Sequence, residues 1–237
     1  IVHVASGLQN VRKDRSLVGG IIVSGTTGEQ HTMTIEERSN LYAASVRIAS
    51  QFDVPVAAGI AHTTVAGAVQ LTKAALSADC EGIMLGLPPY TRLCDEEIRV
   101  YIRAVKALLP ADFPLLLYNN SMRNGYGPSL SLLAELCNDN TLWGIKHATA
   151  PENFHNDAHT LLQIAPAARL YTGSDKMIAE LLHPTAPTRF YGLTSIVGNL
   201  YPENTAHTVL DLASSDPSVQ EIQLTTDGEE HYGYAPT

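Results

Sequence analysis

Five side chains in this sequence have the types and placement for carbonyl chemistry. Lys146 ends the apolar run Leu142-Trp143-Gly144-Ile145 and is followed by His147, Ala148 and Thr149. An ammonium at the end of a buried strand is poorly solvated, and desolvation lowers its pKa. The neutral amine is the nucleophile that attacks a ketone to form a Schiff base. Tyr118 ends another apolar run, Leu115-Leu116-Leu117, and opens the polar stretch Asn119-Asn120-Ser121-Met122-Arg123-Asn124-Gly125. A phenol there can relay a proton, and Arg123 is a forked donor suited to a carboxylate. In Gly25-Thr26-Thr27-Gly28-Glu29, two glycines allow a tight turn that converges backbone N–H groups on an anion. Thr26 and Thr27 add hydroxyls, a donor set for a small carboxylate.

Each pattern also has a plainer reading. The lysine could sit in an ion pair or reach past its strand to water. Arg123 could belong to a surface pair, and the glycine-threonine stretch could be an ordinary turn. It is not a phosphate-binding P-loop, because Gly-Lys-Ser/Thr is absent.

The elements that must position these residues alternate along the chain. Strand-like segments fall at 20–23, 54–58, 82–85, 115–118, 142–146, 169–172 and 190–193. Helical patterns lie between them. One opens on the capping box Thr34-Ile35-Glu36-Glu37 and runs towards Ser50. Others cover 64–77, 95–109, 129–136, 152–164, 176–182 and 202–213, with Ile98, Ile102, Val105 and Leu109 on one face of the third. This spacing predicts parallel βα units, and strands apolar on both faces suit a sheet buried under helices. Seven units are countable, with residues 1–15 the place for a degraded eighth. The expected architecture is a (β/α)8 TIM barrel, with a doubly wound open sheet as the alternative. In either fold chemistry lies past the C-terminal strand ends, where all three clusters fall. The expected division is a barrel domain over 1–213, atypical over 1–15, and a polar C-terminal segment over 214–237.

Composition narrows the function. The 237 residues are 45% hydrophobic and 16% charged, with a net charge of -9. That balance argues against nucleic acid and anionic membranes as partners. Cys80, Cys94 and Cys137 are odd in number and lack metal-type spacing, which points to a reducing, cytoplasmic setting without a disulfide framework. No apolar stretch is long enough for a bilayer, and no signal-peptide order opens the chain. The start at Ile1 rather than methionine is read as processed or incomplete. His155 and His159 stand at i, i+4 but lack the glutamate of a metalloprotease helix and are read as a solvated face. No metal site is expected. Trp143 is expected in the core.

The ordered trio resembles the dihydrodipicolinate synthase / N-acetylneuraminate lyase family over roughly residues 17 to 213. It consists of Gly25-Thr26-Thr27-Gly28-Glu29, then Tyr118-Asn119 with Arg123 and Gly125, then Gly144-Ile145-Lys146 with Ala148-Thr149. The resemblance implies a TIM barrel that acts on pyruvate or a related 2-oxo acid through a Schiff base, with an aldehyde as second substrate and no metal or organic cofactor. It implies that Lys146 is the Schiff-base lysine and Tyr118 the proton shuttle. Thr26 and Thr27 would hold the pyruvate carboxylate and link to the tyrosine. Arg123 would bind the second substrate's carboxylate, which tilts the chain to the synthase branch. Gly173 and Thr194 would line the pyruvate pocket. A homo-oligomer, tetramer or dimer, is implied as well.

The departures bear on the reaction. Thr91 follows Pro88-Pro89-Tyr90 where synthases carry a second tyrosine, Asn120-Ser121-Met122 lacks the usual proline, and His147 stands in place of a glutamate. A 2-keto-3-deoxy sugar acid aldolase or dehydratase therefore remains an alternative. So does a non-catalytic barrel that binds a 2-oxo acid or a protein partner.

Overall fold

The computed structural model describes residues 20–149, 151–177, 192–201, 204, 205 and 208. Residues 1–15, 214–237 and most of the segments expected as helices at 176–182 and 202–213 lie outside them.

Among the described residues, seven parallel strands form one sheet: β1 Ile21–Val23, β2 Val56–Ile60, β3 Gly82–Gly86, β4 Leu115–Asn119, β5 Gly144–His147, β6 Leu170–Thr172 and β7 Gly192–Leu193. Their spatial order is their chain order, β1 to β7. A doubly wound sheet reverses its strand order at a switch point; this one never does, so the order is that of a (β/α)8 barrel. Helices α1 Ile35–Ala49, α2 Val65–Ser77, α3 Asp95–Lys106, α5 Leu130–Asn138 and α6 Pro151–Ile164 separate the strands, with a one-turn helix α4 Ser121–Asn124 after β4.

Local chemistry explains these elements. The Thr34 hydroxyl accepts from the Glu37 N–H at 3.1 Å, and Glu37 accepts from the Thr34 N–H at 2.8 Å, the reciprocal capping box. α1 then buries Arg38, Tyr42, Ser45 and Ala49, a stripe of helical period. α3 begins with Asp95, Glu96 and Glu97, favourable against the positive end of the helix dipole. It buries Ile98, Tyr101, Ile102 and Val105. Leu85, Leu117 and Ile145 stand in register on β3, β4 and β5 and are fully buried, each worth about 1.5–3 kcal/mol.

Three expectations change. β2 starts at Val56 rather than Val54, because Pro55 has no N–H for the ladder. The polar loop after β4 contains a helical turn, capped by Asn120 and closed by Gly125 at φ 72. Trp143 is only partly buried. It stacks on Tyr171 at 6.0 Å with the Arg169 guanidinium 4.6 Å from its ring centre. Among the described residues, no helix is long and apolar enough to cross a membrane.

Candidate active site

Residues in register on neighbouring parallel strands share a face. Gly86, Tyr118, Lys146, Tyr171 and Gly192 are mutual register partners across β3 to β7. Their row lies on the face opposite to that of Leu85, Leu117 and Ile145. The ladder therefore sets the Lys146 amine beside the Tyr118 phenol ring, with Nζ 4.6 Å from the ring centre. At the β7 end of the row Gly192 leaves room for the Tyr171 ring, which would lie 2.8 Å from a Cβ built there.

Lys146 is partly buried. Burial lowers its pKa from 10.5 to about 8, the nearby Arg123 guanidinium pushes the same way, and Asp175 opposes both. At pH 7 about a tenth of such amines are neutral, roughly 300-fold more than for an ordinary lysine.

Gly173 lies against this lysine, with Thr194 beside it. A Cβ built on Gly173 would lie 2.6 Å from Lys146 Cε and 3.7 Å from Thr194 Oγ1. Thr194 is tied to β6 because its N–H and its hydroxyl both donate to the Thr172 carbonyl, at 2.9 and 3.2 Å. Asp175 fastens the loops after β6 and β7 together. It accepts from the Ser195 hydroxyl and from the Ile196 N–H at 3.0 Å.

On the other side of Lys146, the Tyr118 oxygen accepts from the Asn120 side-chain amide at 2.7 Å. Asn120 Oδ1 accepts from the Arg123 N–H at 3.0 Å, which starts the α4 turn. Arg123 itself is exposed, at the mouth of the site and within electrostatic range of Lys146. His147 points the other way. It is buried at 5% exposure, with Nδ1 3.1 Å from the Asn119 amide, Nε2 3.0 Å from Asp157 Oδ2 and Phe154 against its ring. The exchange of a glutamate for His147 therefore alters the strand–helix layer and not the face that carries Lys146.

Thr26 and Thr27 follow β1 on the same rim. Thr26 is partly buried and Thr27 exposed, and neither is hydrogen-bonded to Tyr118 or Lys146 among the described residues. Their loop hangs from a buried cation. Arg38 is 3% exposed and donates to Ser24 Oγ at 3.0 Å, the Ala61 carbonyl at 3.0 Å, Gln30 Oε1 at 2.8 Å and the Gly59 carbonyl at 2.9 Å. All four acceptors are neutral. They anchor Ser24, just before the glycine-threonine turn, to the end of β2. Tyr90 is 97% exposed and Thr91 is exposed, so neither fills the space beside Tyr118. His159 pairs with Gln163 at 3.0 Å, and His155 lies edge-on to Phe154.

Sequence reasoning passed over Arg38, Asn120 and Asp175. Arg38 left a signal: it is the one charged residue on the buried stripe of α1.

A sequential parallel barrel order with a lysine and a tyrosine at adjacent strand ends has known counterparts. The model of the dihydrodipicolinate synthetase family matches residues 12–221. The chain belongs to this family. Within it, the 4-hydroxy-tetrahydrodipicolinate synthase of Clostridium novyi (strain NT) is 28% identical over 207 residues, covering 87% of this chain and 67% of the relative. That of Synechococcus sp. (strain WH7803) is 30% identical over 202 residues, 84% of this chain and 64% of the relative. These similarities stand on the synthase side of the family. The crystal structure of the dihydrodipicolinate synthase from Acinetobacter baumannii, complexed with pyruvate, is similar in fold. Its TM-score is 0.75 at 24% identity, covering 91% of this chain and 70% of that one. The chain spans 53% to 67% of the length of several curated relatives that it matches.

Proposed function

We propose that this chain is a class I synthase or lyase, dihydrodipicolinate synthase-like, that joins pyruvate or a related 2-oxo acid to an aldehyde through an imine on Lys146. One observation carries the reading: an amine with a pKa of about 8 stands across a single strand ladder from the phenol of Tyr118. The family membership and the pyruvate complex of the Acinetobacter synthase support it.

The neutral Lys146 amine adds to the ketone carbon and gives a carbinolamine. Tyr118 donates its proton to the carbinolamine hydroxyl. The C–O bond breaks, water leaves, and the nitrogen lone pair closes the C=N bond. The iminium draws electrons from the adjacent methyl C–H, whose proton returns to the Tyr118 oxygen, and an enamine forms. The enamine carbon then attacks the aldehyde, whose opened C=O oxygen takes the Tyr118 proton, and water hydrolyses the regenerated iminium to release the product and the Lys146 amine. Positioned proton transfer of this kind contributes about 10²–10⁴ in rate. Thr26 and Thr27 hold the 2-oxo carboxylate from the β1 loop, Gly173 and Thr194 line the pocket against the lysine, and Arg123 receives the carboxylate of the second substrate. No step calls on a metal or an organic cofactor.

The setting is cytoplasmic, in keeping with three free cysteines. The assembly is a homo-oligomer, dimer or tetramer. Tyr90 and Met122, exposed apolar side chains on successive rim loops, support it, and sedimentation measures it.

The experiment is reduction with borohydride in the presence of pyruvate, followed by intact and peptide mass. An adduct belongs on the Lys146 peptide and is absent from Lys146→Ala. Folded protein that gives no adduct with any 2-oxo acid refutes the enzyme reading in favour of a binding barrel.

A further inference from the structure

The hydrogen bonds around Asn120 have a direction that its side chain alone does not reveal. A carboxamide presents one acceptor and one donor end, and the network decides which faces which way. Here one neighbour is the Arg123 backbone N–H, 3.0 Å away, which can only donate. The oxygen of Asn120 must face it. The nitrogen then faces the Tyr118 oxygen at 2.7 Å, and the phenol is the acceptor in that pair. Its own hydrogen is excluded from this contact and is free to turn to the Lys146 side. Asn120 is 8% exposed, so water competes little for either end.

We infer that Asn120 is a positioning residue of the proton relay, whose amide N–H fixes the phenol of Tyr118 as a donor towards the imine-forming lysine and holds the phenolate between proton transfers. The inference rests on the Schiff-base reading above. When Tyr118 protonates the leaving hydroxyl, the charge left on its oxygen is met by the Asn120 N–H. When the methyl proton is released, the same oxygen takes it back and the amide is unchanged. A hydrogen bond to a charged group is stronger than one to a neutral group, so the contact strengthens during the step and accelerates it.

The test needs only pyruvate. Exchange of its methyl protons for solvent deuterium requires imine and enamine in turn, and NMR follows it without an aldehyde. Asn120→Ser keeps an N-cap oxygen for α4 but is too short to reach the phenol. Asn120→Asp also keeps the cap and replaces the donor by an acceptor. Both should slow the maximal exchange rate by about 10- to 100-fold, the range set by a hydrogen bond to a charged group, and should leave the KM for pyruvate within about 3-fold. In a Tyr118→Phe background the same substitutions should slow exchange no further, because the oxygen they serve is gone. Equal losses in both backgrounds, or a collapse of KM with the maximal rate preserved, would mean that Asn120 acts only on loop structure. A normal exchange rate in Asn120→Ser overturns the inference while a borohydride adduct in the unaltered protein preserves the reaction. No adduct in the unaltered protein overturns both.

Discussion

Replacing the lysine should stabilise the fold. A drop in the Lys146 pKa from 10.5 to about 8 means that the folded state holds the ammonium less well than the unfolded chain does. At about 1.4 kcal/mol per unit the penalty is about 3 kcal/mol. Lys146→Met keeps the apolar stem and removes the charge, so it should gain about 3 kcal/mol at pH 7, roughly 6–12 °C in Tm for a chain of this size. The pH dependence fixes the cause. Below pH 8 the lysine is charged in both states and the folded protein bears the full penalty. Between pH 8 and 10.5 the unfolded chain binds more protons than the folded one, so the stability of the unaltered protein rises with pH. Above 10.5 both states are neutral and no penalty remains. Urea unfolding of both proteins at pH 7 and pH 10 measures this. The gap between them should shrink sharply at the higher pH. A variant that is less stable at pH 7, or a gap that ignores pH, would refute the claim that the site holds its amine under strain.

Gly173→Ala places a methyl group 2.6 Å from Lys146 Cε and must displace the amine by about 1 Å to reach ordinary contact. Adduct formation should slow on the order of 100-fold with pyruvate and borohydride while the melting curve barely moves; an unchanged trapping rate removes Gly173 from the site. Gly59→Ala is the opposite case, since its Cβ would meet the Ser24 carbonyl oxygen at 2.4 Å, and backbone yields less readily than a lysine tip. It should cost about 1–3 kcal/mol in urea unfolding and raise the KM for pyruvate through the glycine-threonine loop. Arg123→Leu should leave pyruvate exchange kinetics in place and raise the KM of a carboxylate-bearing aldehyde about 10- to 100-fold, which steady-state assays with that second substrate would read.

Strand-helix alternation was legible because parallel strands under helices are apolar on both faces, but alternation suits a barrel and a doubly wound sheet alike, and only the ladder order β1 to β7 separates them. Lys146 and Tyr118 were legible for a related reason: each is the first polar residue after an apolar run. Other features depend on contacts between distant segments. The residue type of Asn120 was plain, but the direction of its amide is set by the Arg123 N–H once α4 forms. Arg38 reads as a surface helix charge until Ser24, Gly59 and Ala61 are seen to converge on it. Trp143 reads as core because it lies within an apolar run, yet it precedes β5 and finds its partners in Tyr171 and Arg169. The boundary of β2 is written in Pro55 itself, whose missing N–H outweighs the hydrophobicity of Val54.

The row of side chains from Gly86 to Gly192 makes strand alignment a chemical property. If β5 slipped by one residue against β4, His147 would turn to the pocket and Lys146 to the helices. Such a molecule would keep its helices, its parallel sheet and its far-ultraviolet signal, but it would present no amine to a ketone. Under the proposed imine chemistry, covalent trapping by pyruvate would then count molecules whose barrel is correctly threaded. During refolding, adduct yield measured beside circular dichroism would separate the time at which the chain becomes a barrel from the time at which it becomes the right one.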